Sequence, residues 1–257
     1  MERHIDIQGI HNLRDLGGYR TKDGIPIKWR KIFRAGLLGE FDKSEISKMK
    51  ALKLQSICDF RTIAEQTNEP DQWHNLATLN RFPLPIGEGR VDKLDWLKVD
   101  NLGAEKKHYL YHANRSYVKM EVHRYKAFFE ILLNEDNYPL MYHCTAGKDR
   151  TGFATFLLLS ALGVDRKTII EDYLLTNQYM AEFAKGHLDR LSQNLGIDTD
   201  NIKSIFQAKE SYLAGALDAI EADYQTVENY LATALNIGES EIKQLKRILL
   251  EESFSQT

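Results

Sequence analysis

The chain has 257 residues, 43% of them apolar and 10% aromatic, enough to bury a full core, and no compositional shift marks a linker; one domain over 1–257 is expected. A formal charge of -3 and an isoelectric point near 6.3 supply no basic face of the kind that grips nucleic acid, so any attraction for anions must be local. No run approaches the roughly 20 apolar residues of a membrane span. Cys58 and Cys144 make no disulfide framework and residues 1–6 lack an apolar signal core, so a cytoplasmic protein is expected, with signal-independent export left open.

Residues 5–18 carry little periodicity and read as a loop or extended arm, with Gly17 and Gly18 giving backbone freedom. Segments 19–22 and 25–27 flank Asp23-Gly24, a hairpin turn signal, and 31–34 reads as a strand ending at Ala35-Gly36. Ser44 is the expected cap of a short helix that turns Ile46, Met49 and Leu52 inward. Segment 54–60 reads as the next strand, and Thr62-Ile63-Ala64-Glu65 has the capping-box spacing that starts a helix. Asp59 and Arg61 then fall at the carboxyl end of a strand, the edge along which open α/β sheets gather ligands; they read equally as a structural ion pair or a helix cap. A third strand is expected over 76–82, stopped by Pro83-Leu84-Pro85. Residues 86–116 hold no long period and read as a loop region with short helices, whereas 117–133 places Val118, Val122, Tyr125, Phe129 and Leu132 on one helical face.

The most informative stretch follows. Residues 140–143 read as a short buried strand and 151–162 as an apolar helix closed by Gly163; between them run His143-Cys144-Thr145-Ala146-Gly147-Lys148-Asp149-Arg150. A loop entering a helix N-terminus aims backbone N–H groups at one point, and the helix dipole adds partial positive charge, so Thr145 to Arg150 are suited to cradle a dianion. The same field favours a thiolate over a thiol, and the thiolate is the nucleophilic form, which makes Cys144 the candidate nucleophile. The planar fork of Arg150 can take two phosphoryl oxygens at once, and Lys148 adds a point charge.

Beyond the loop, Asp165 is placed to cap a helix carrying Ile169, Ile170, Tyr173 and Leu174 and ending near Gly186. Helical segments are expected to continue over 188–194, 202–217, 227–235 and 242–250.

The string His143-Cys144 to Arg150-Thr151-Gly152 resembles the signature loop of cysteine-dependent tyrosine phosphatases, and its Lys148-Asp149 pair resembles a bacterial branch of atypical tyrosine and lipid phosphatases. Asn12-Leu13-Arg14-Asp15-Leu16-Gly17-Gly18-Tyr19 and the run around Tyr230-Leu231 resemble the same branch, so the likeness spans nearly the whole chain. It implies an α/β fold with a central, mostly parallel sheet flanked by helices, a C-terminal helical lid within 173–201, and a segment containing Asn12, Arg14 and Asp15 that lines or braces the site. It also implies hydrolysis of phosphate monoesters through a phosphocysteine, without cofactor or metal. Phosphotyrosine is the expected substrate group, with phosphoserine, phosphothreonine and phosphoinositides alongside it; two cations in one cradle resemble the loops that act on inositol lipids. His143 is expected to tune Cys144, Thr151 to donate to its sulfur, and Asp15 and Arg61 to support the site.

No Trp-Pro-Asp tripeptide precedes the loop at the usual interval; Asp149 is therefore the first candidate for the general acid and Asp59 the second. Tyr179, Met180 and Phe183 read either as a substrate cover or as ordinary packing, and Cys58 as buried filler or as a redox partner of Cys144. The rival functions are a non-catalytic phosphate-binding module, which would usually lack Cys or Arg, and a loop-cysteine sulfurtransferase or arsenate reductase.

Overall fold

The computed structural model of the chain describes residues 1–39, 42–71, 79–87, 103–186 and 207–252. Five strands, β1 (Arg14–Asp15), β2 (Ile32–Ala35), β3 (Ser56–Asp59), β4 (Asn80–Pro83) and β5 (Leu140–His143), form one sheet in the order β1-β2-β5-β3-β4. β2, β5, β3 and β4 run parallel, and β1 closes the β2 edge antiparallel. The central strands β2 and β5 are buried at every position because both their faces are covered, and each carries one polar residue, Arg34 and His143, among apolar ones. Ile32, Leu140, Tyr142 and Cys58 belong to the larger core, while Phe33, Ala35, Met141 and Ile57, one residue out of phase, belong to a smaller core with Ile10, Leu13 and Met49.

The parallel register sets Asp59 beside His143 and Ala35 on its other side, so three strand ends meet where the loop begins. Thus β3 and β5 are parallel neighbours, which puts Asp59 at the carboxyl edge next to the start of the loop. The turn at Asp23-Gly24 forms with Gly24 at φ +80 and Thr21 and Ile25 bonded across it. Helix α1 (Lys43–Ala51) is capped by Asp42 and not by Ser44: the Asp42 carboxylate accepts from the amides of both Ser44 and Glu45, and Ser44 falls inside the first turn. Helix α2 (Ile63–Asn68) carries the expected capping box of Thr62 and Glu65.

Residues 103–116, expected as loop with short helices, join the start of the expected 117–133 helix in one helix, α3 (Gly103–Met120). Its support is tertiary. A Cβ on Gly215, in the later helix of residues 210–224, would lie 2.0 Å from the Tyr111 carbonyl oxygen, so the glycine lets the two helix backbones touch. Helix α4 (Val122–Leu132) buries Tyr125, Phe128, Phe129 and Leu132. After β5 come α5 (Asp149–Leu162), closed by Gly163 at φ +88, α6 (Arg166–Leu174), capped by Asp165, and α7 (Thr176–Tyr179). The series ends with α8 (Glu210–Tyr224), α9 (Val227–Thr233) and α10 (Glu239–Leu249).

In the stretch expected to form a lid, the Tyr179 ring stacks on His4 and the Phe183 ring packs against His11, both with centroids 4.3 Å apart, and Met180 is buried. Residues 187–201 of that stretch, the expected helix at 188–194, and residues 76–78 of the third strand lie outside the described residues. Among the described residues no helix is long and apolar enough to cross a membrane.

Candidate active site

Strand β5 delivers Cys144 to the floor of the loop, where it is 2% exposed. The loop turns away from β2 at Gly147, whose φ is +62; a Cβ there would come within 2.4 Å of the Ala35 carbonyl oxygen, so only glycine fits. Three successive loop carbonyls are tied to groups outside the loop. Thr145 O accepts from Leu37 N at 2.9 Å, Ala146 O from Asn12 Nδ2 at 3.0 Å, and Gly147 O from Asn12 Nδ2 at 3.0 Å and Arg34 Nη2 at 2.8 Å. In a planar trans peptide the N–H points opposite to the C=O. The amides of Ala146, Gly147 and Lys148 therefore face away from those partners, which makes a donor-lined concavity.

Arg150, the second residue of α5, is held by Glu65. Its Nη1 donates to Glu65 Oε2 at 2.5 Å and its Nη2 to Oε1 at 2.8 Å, with further bonds to Thr145 Oγ1 at 3.2 Å and Phe60 O at 3.2 Å. Nε takes no partner among the described residues. Burial opposes the Arg150 charge, but Glu65 and the Cys144 sulfur outweigh it and keep the guanidinium protonated. Burial likewise pushes Glu65 up, and Arg150 with the Thr145 hydroxyl reverses this, holding the carboxyl far below the ordinary range. Thr151 Oγ1 is buried with no hydrogen-bond partner among the described residues, one residue into the helix beyond Arg150. A buried hydroxyl left open in this way is suited to a sulfur anion or a ligand oxygen.

Lys148 is 1% exposed, and its Nζ donates to Gln207 O at 3.0 Å while lying 3.7 Å from Asp149 Oδ2 and 5.5 Å from the Tyr212 ring centre. Asp149 opens α5 and accepts from the Tyr173 hydroxyl at 3.3 Å. The two polar residues that follow Gly147 are thus drawn partly toward the C-terminal helices.

Asp59 lies on the sheet edge beside the loop, but it is committed. Arg61 donates to it from Nε at 3.0 Å and Nη2 at 2.8 Å and reaches Asp71 Oδ2 at 2.5 Å. His143 Nε2 lies 3.7 Å from Asp59 and 3.6 Å from Asp71. Burial raises the Asp59 carboxyl, and His143 and Arg61 more than offset it, so the group is held below its usual range and is poorly suited to give up a proton. Asp59, Asp71 and His143 form a His/Asp cluster that the sequence reading did not find, with ligand-type atoms within 4.8 Å of one another. A guanidinium already bridges both carboxylates, so the cluster is an ion-pair network and a cation there would meet Arg61.

Asp15 supports a turn instead of the cradle, accepting from the amides of Gly17 and Arg30, each at 2.8 Å. Cys58 is fully buried, and desolvation pushes its thiol up, the opposite of a redox-active cysteine. Cys144, Thr145, Ala146, Gly147, Lys148, Asp149, Arg150 and Thr151 are brought together as one strand-loop-helix unit, with Asp59, Arg61 and His143 on the adjoining edge. Glu65 and Arg34, which bond Arg150 and Gly147 O, and Asp172, which bonds Arg34, are absent from the sequence reading of the loop. Glu65 had a visible signal in its capping box; Arg34 had one in being a charge inside a strand.

A match to the tyrosine phosphatase family runs over residues 5–251. A Cupriavidus necator protein that bears the name of a tyrosine-protein phosphatase is 30% identical over 218 residues, covering 82% of this chain and 76% of that one. A tyrosine-protein phosphatase of Nostoc commune is 28% identical over 169 residues, covering 63% of this chain and 54% of its own length. Among solved structures, the catalytic core of Siw14, known from S. cerevisiae, is 19% identical with a TM-score of 0.41, covering 79% of this chain and 94% of that one. By the extent of the family match and the Cupriavidus likeness, the chain belongs to the tyrosine phosphatase family.

Proposed function

We propose that the protein hydrolyses phosphate monoesters, phosphotyrosine among them, with Cys144 as nucleophile and Arg150 as the clamp on the transferred group, its Nη2 exchanging Thr145 Oγ1 for a phosphoryl oxygen while Glu65 keeps its hold. The observation that carries the reading is the set of outward-bonded carbonyls at Thr145, Ala146 and Gly147, which turns the following amides toward one point above a buried cysteine. The Cys144 sulfur attacks phosphorus in line; the S–P bond forms as the P–O ester bond breaks, and the departing oxygen takes a proton from Asp149. Water then attacks the phosphocysteine and gives its proton back to Asp149; the S–P bond breaks, Thr151 hydrogen-bonds the leaving thiolate, and inorganic phosphate departs. Asp149 is preferred to Asp59 as the acid because Arg61 binds Asp59 through two guanidinium nitrogens at 3.0 and 2.8 Å, whereas the Lys148 ammonium lies 3.7 Å from Asp149.

Lys148 supports phosphoserine, phosphothreonine and phosphoinositide esters as further substrates, since a second cation beside the cradle suits more highly charged groups. To act there its ammonium must exchange Gln207 O for the substrate. The test is hydrolysis of p-nitrophenyl phosphate in the presence of a metal chelator. Vanadate-sensitive release of phosphate by the wild type, absent in Cys144→Ser, is the expected result; equal release by both would remove Cys144 from the chemistry.

A further inference from the structure

Behind the loop lies a group of charged side chains sealed from solvent. Arg14 on β1, Arg34 on β2 and Asp172 on α6 are each 0% exposed. One carboxylate serves both guanidiniums: Arg34 Nη1 donates to Asp172 Oδ2 at 2.5 Å and Arg14 Nε to Oδ1 at 2.9 Å, with the Tyr19 hydroxyl also donating to Oδ1 at 2.9 Å. The far ends of both arginines act on the loop. Arg34 Nη2 donates directly to Gly147 O at 2.8 Å. Arg14 Nη1 donates to Asn12 Oδ1, which fixes the side-chain amide so that Nδ2 faces Ala146 O and Gly147 O.

Stability alone explains this group poorly, because replacing a buried ion cluster by apolar residues of similar volume is often neutral or stabilising. Two cations against one anion also leave this trio with a positive charge behind a loop suited to a dianion.

We infer that Asn12, Arg34 and Asp172 are positioning residues for the phosphate cradle: they pull the Ala146 and Gly147 carbonyls outward and so keep the Gly147 and Lys148 amides aimed at the phosphoryl oxygens before substrate arrives. The inference rests on the phosphate-monoester reading and deepens it, assigning the N-terminal arm to oxyanion binding. Preorganised donors of this kind strengthen the transition state because they need no rearrangement during the reaction.

The test uses the full chain and two variants. Asn12 sits at φ 59, which glycine adopts without strain, so Asn12→Gly removes both hydrogen bonds and leaves the backbone path open. Arg34→Lys leaves an ammonium that can serve Asp172 or Gly147 O but not both geometries. Inhibition constants for orthovanadate and inorganic phosphate, kcat and KM for p-nitrophenyl phosphate, and thermal melting are read together. The expected result is a loss of about tenfold or more in oxyanion affinity and in kcat/KM for each variant, with both still folded at the assay temperature. Wild-type oxyanion affinity in a folded Asn12→Gly chain would overturn the inference, and that variant decides alone if Arg34→Lys does not fold. A wild type that neither binds vanadate nor releases phosphate is a separate outcome: it defeats the catalytic reading, and the positioning role with it.

Discussion

Glu65 and Arg150 meet end-on, Oε2 2.5 Å from Nη1 and Oε1 2.8 Å from Nη2, so the residue that caps α2 also sets the arginine of the phosphate loop. Glu65→Gln separates these two tasks, since Gln preserves a capping box but loses the charge. Hydrogen bonds to charged groups contribute about 1.5 to 3 kcal/mol, and the low end applies because the Glu65 side chain is 34% exposed. We expect kcat/KM toward an aryl phosphate to fall about tenfold, chiefly through KM, with α2 intact by circular dichroism. An unchanged KM would show that Arg150 is positioned without Glu65.

Gly147→Ala tests the shape of the loop. Its Cβ would meet the Ala35 carbonyl at 2.4 Å and its φ of +62 strains any L side chain. Such strain costs about 1 to 3 kcal/mol before the clash is counted. The variant is expected to melt lower and to lose at least a hundredfold in kcat/KM, since the adjoining amides cannot keep their aim. Retention of wild-type kinetics would mean that the loop does not hold this conformation when it works.

Asp149→Asn probes the general acid through the leaving group. A positioned acid contributes about 10² to 10⁴ in rate, and the need for it grows as the departing oxygen becomes more basic. The variant should lose far more activity on alkyl phosphates than on p-nitrophenyl phosphate, while Asp59→Asn should show no such dependence. The reverse pattern would move the role to Asp59.

The local architecture of the site was legible in the sequence, and its long-range bracing was not. Strand 140–143, the loop and the helix closed by Gly163 follow from hydrophobic pattern and cap chemistry within a few residues of each other. The Thr62 and Glu65 capping box was readable for the same reason. Arg150 finds Glu65 across 85 positions, and Arg34 finds Asp172 across 138; those pairings come from strand order and register, which no local period encodes. The length of α3 was hidden in part because its buried face at residues 110, 114, 117 and 118 includes the polar Asn114, and because a glycine on α8 meets its backbone at Tyr111. Asp42 displaced Ser44 as a cap because both residue types suit the position and only the geometry chooses.

Acid stability follows from the buried pairs. Burial raises the Asp172 carboxyl, but Arg14 and Arg34 outweigh it and hold the group below its unfolded value; Glu65 is depressed in the same sense. A depressed carboxyl stabilises the fold above its unfolded pKa, about 4 for Asp and Glu, and that contribution drains away as pH falls toward the folded value. Melting temperature should therefore hold from about pH 7 to 5 and drop steadily below about pH 4, partly offset by Asp15, whose burial shifts it upward. Asp172→Asn should flatten that acid limb as well as lower the neutral plateau; an unaltered slope would show that Asp172 does not carry it.

The central claim is that the phosphoryl group passes through the Cys144 sulfur, and acid quenching of the enzyme during turnover of an aryl phosphate, followed by peptide mass spectrometry, tests it most directly. The account predicts a phosphoryl mass on the peptide containing Cys144, absent from Cys144→Ser and more abundant in Asp149→Asn if hydrolysis of the intermediate becomes the slow step. Phosphate release by the wild type with no phosphopeptide at Cys144 at any quench time, and undiminished release by Cys144→Ser, would contradict it.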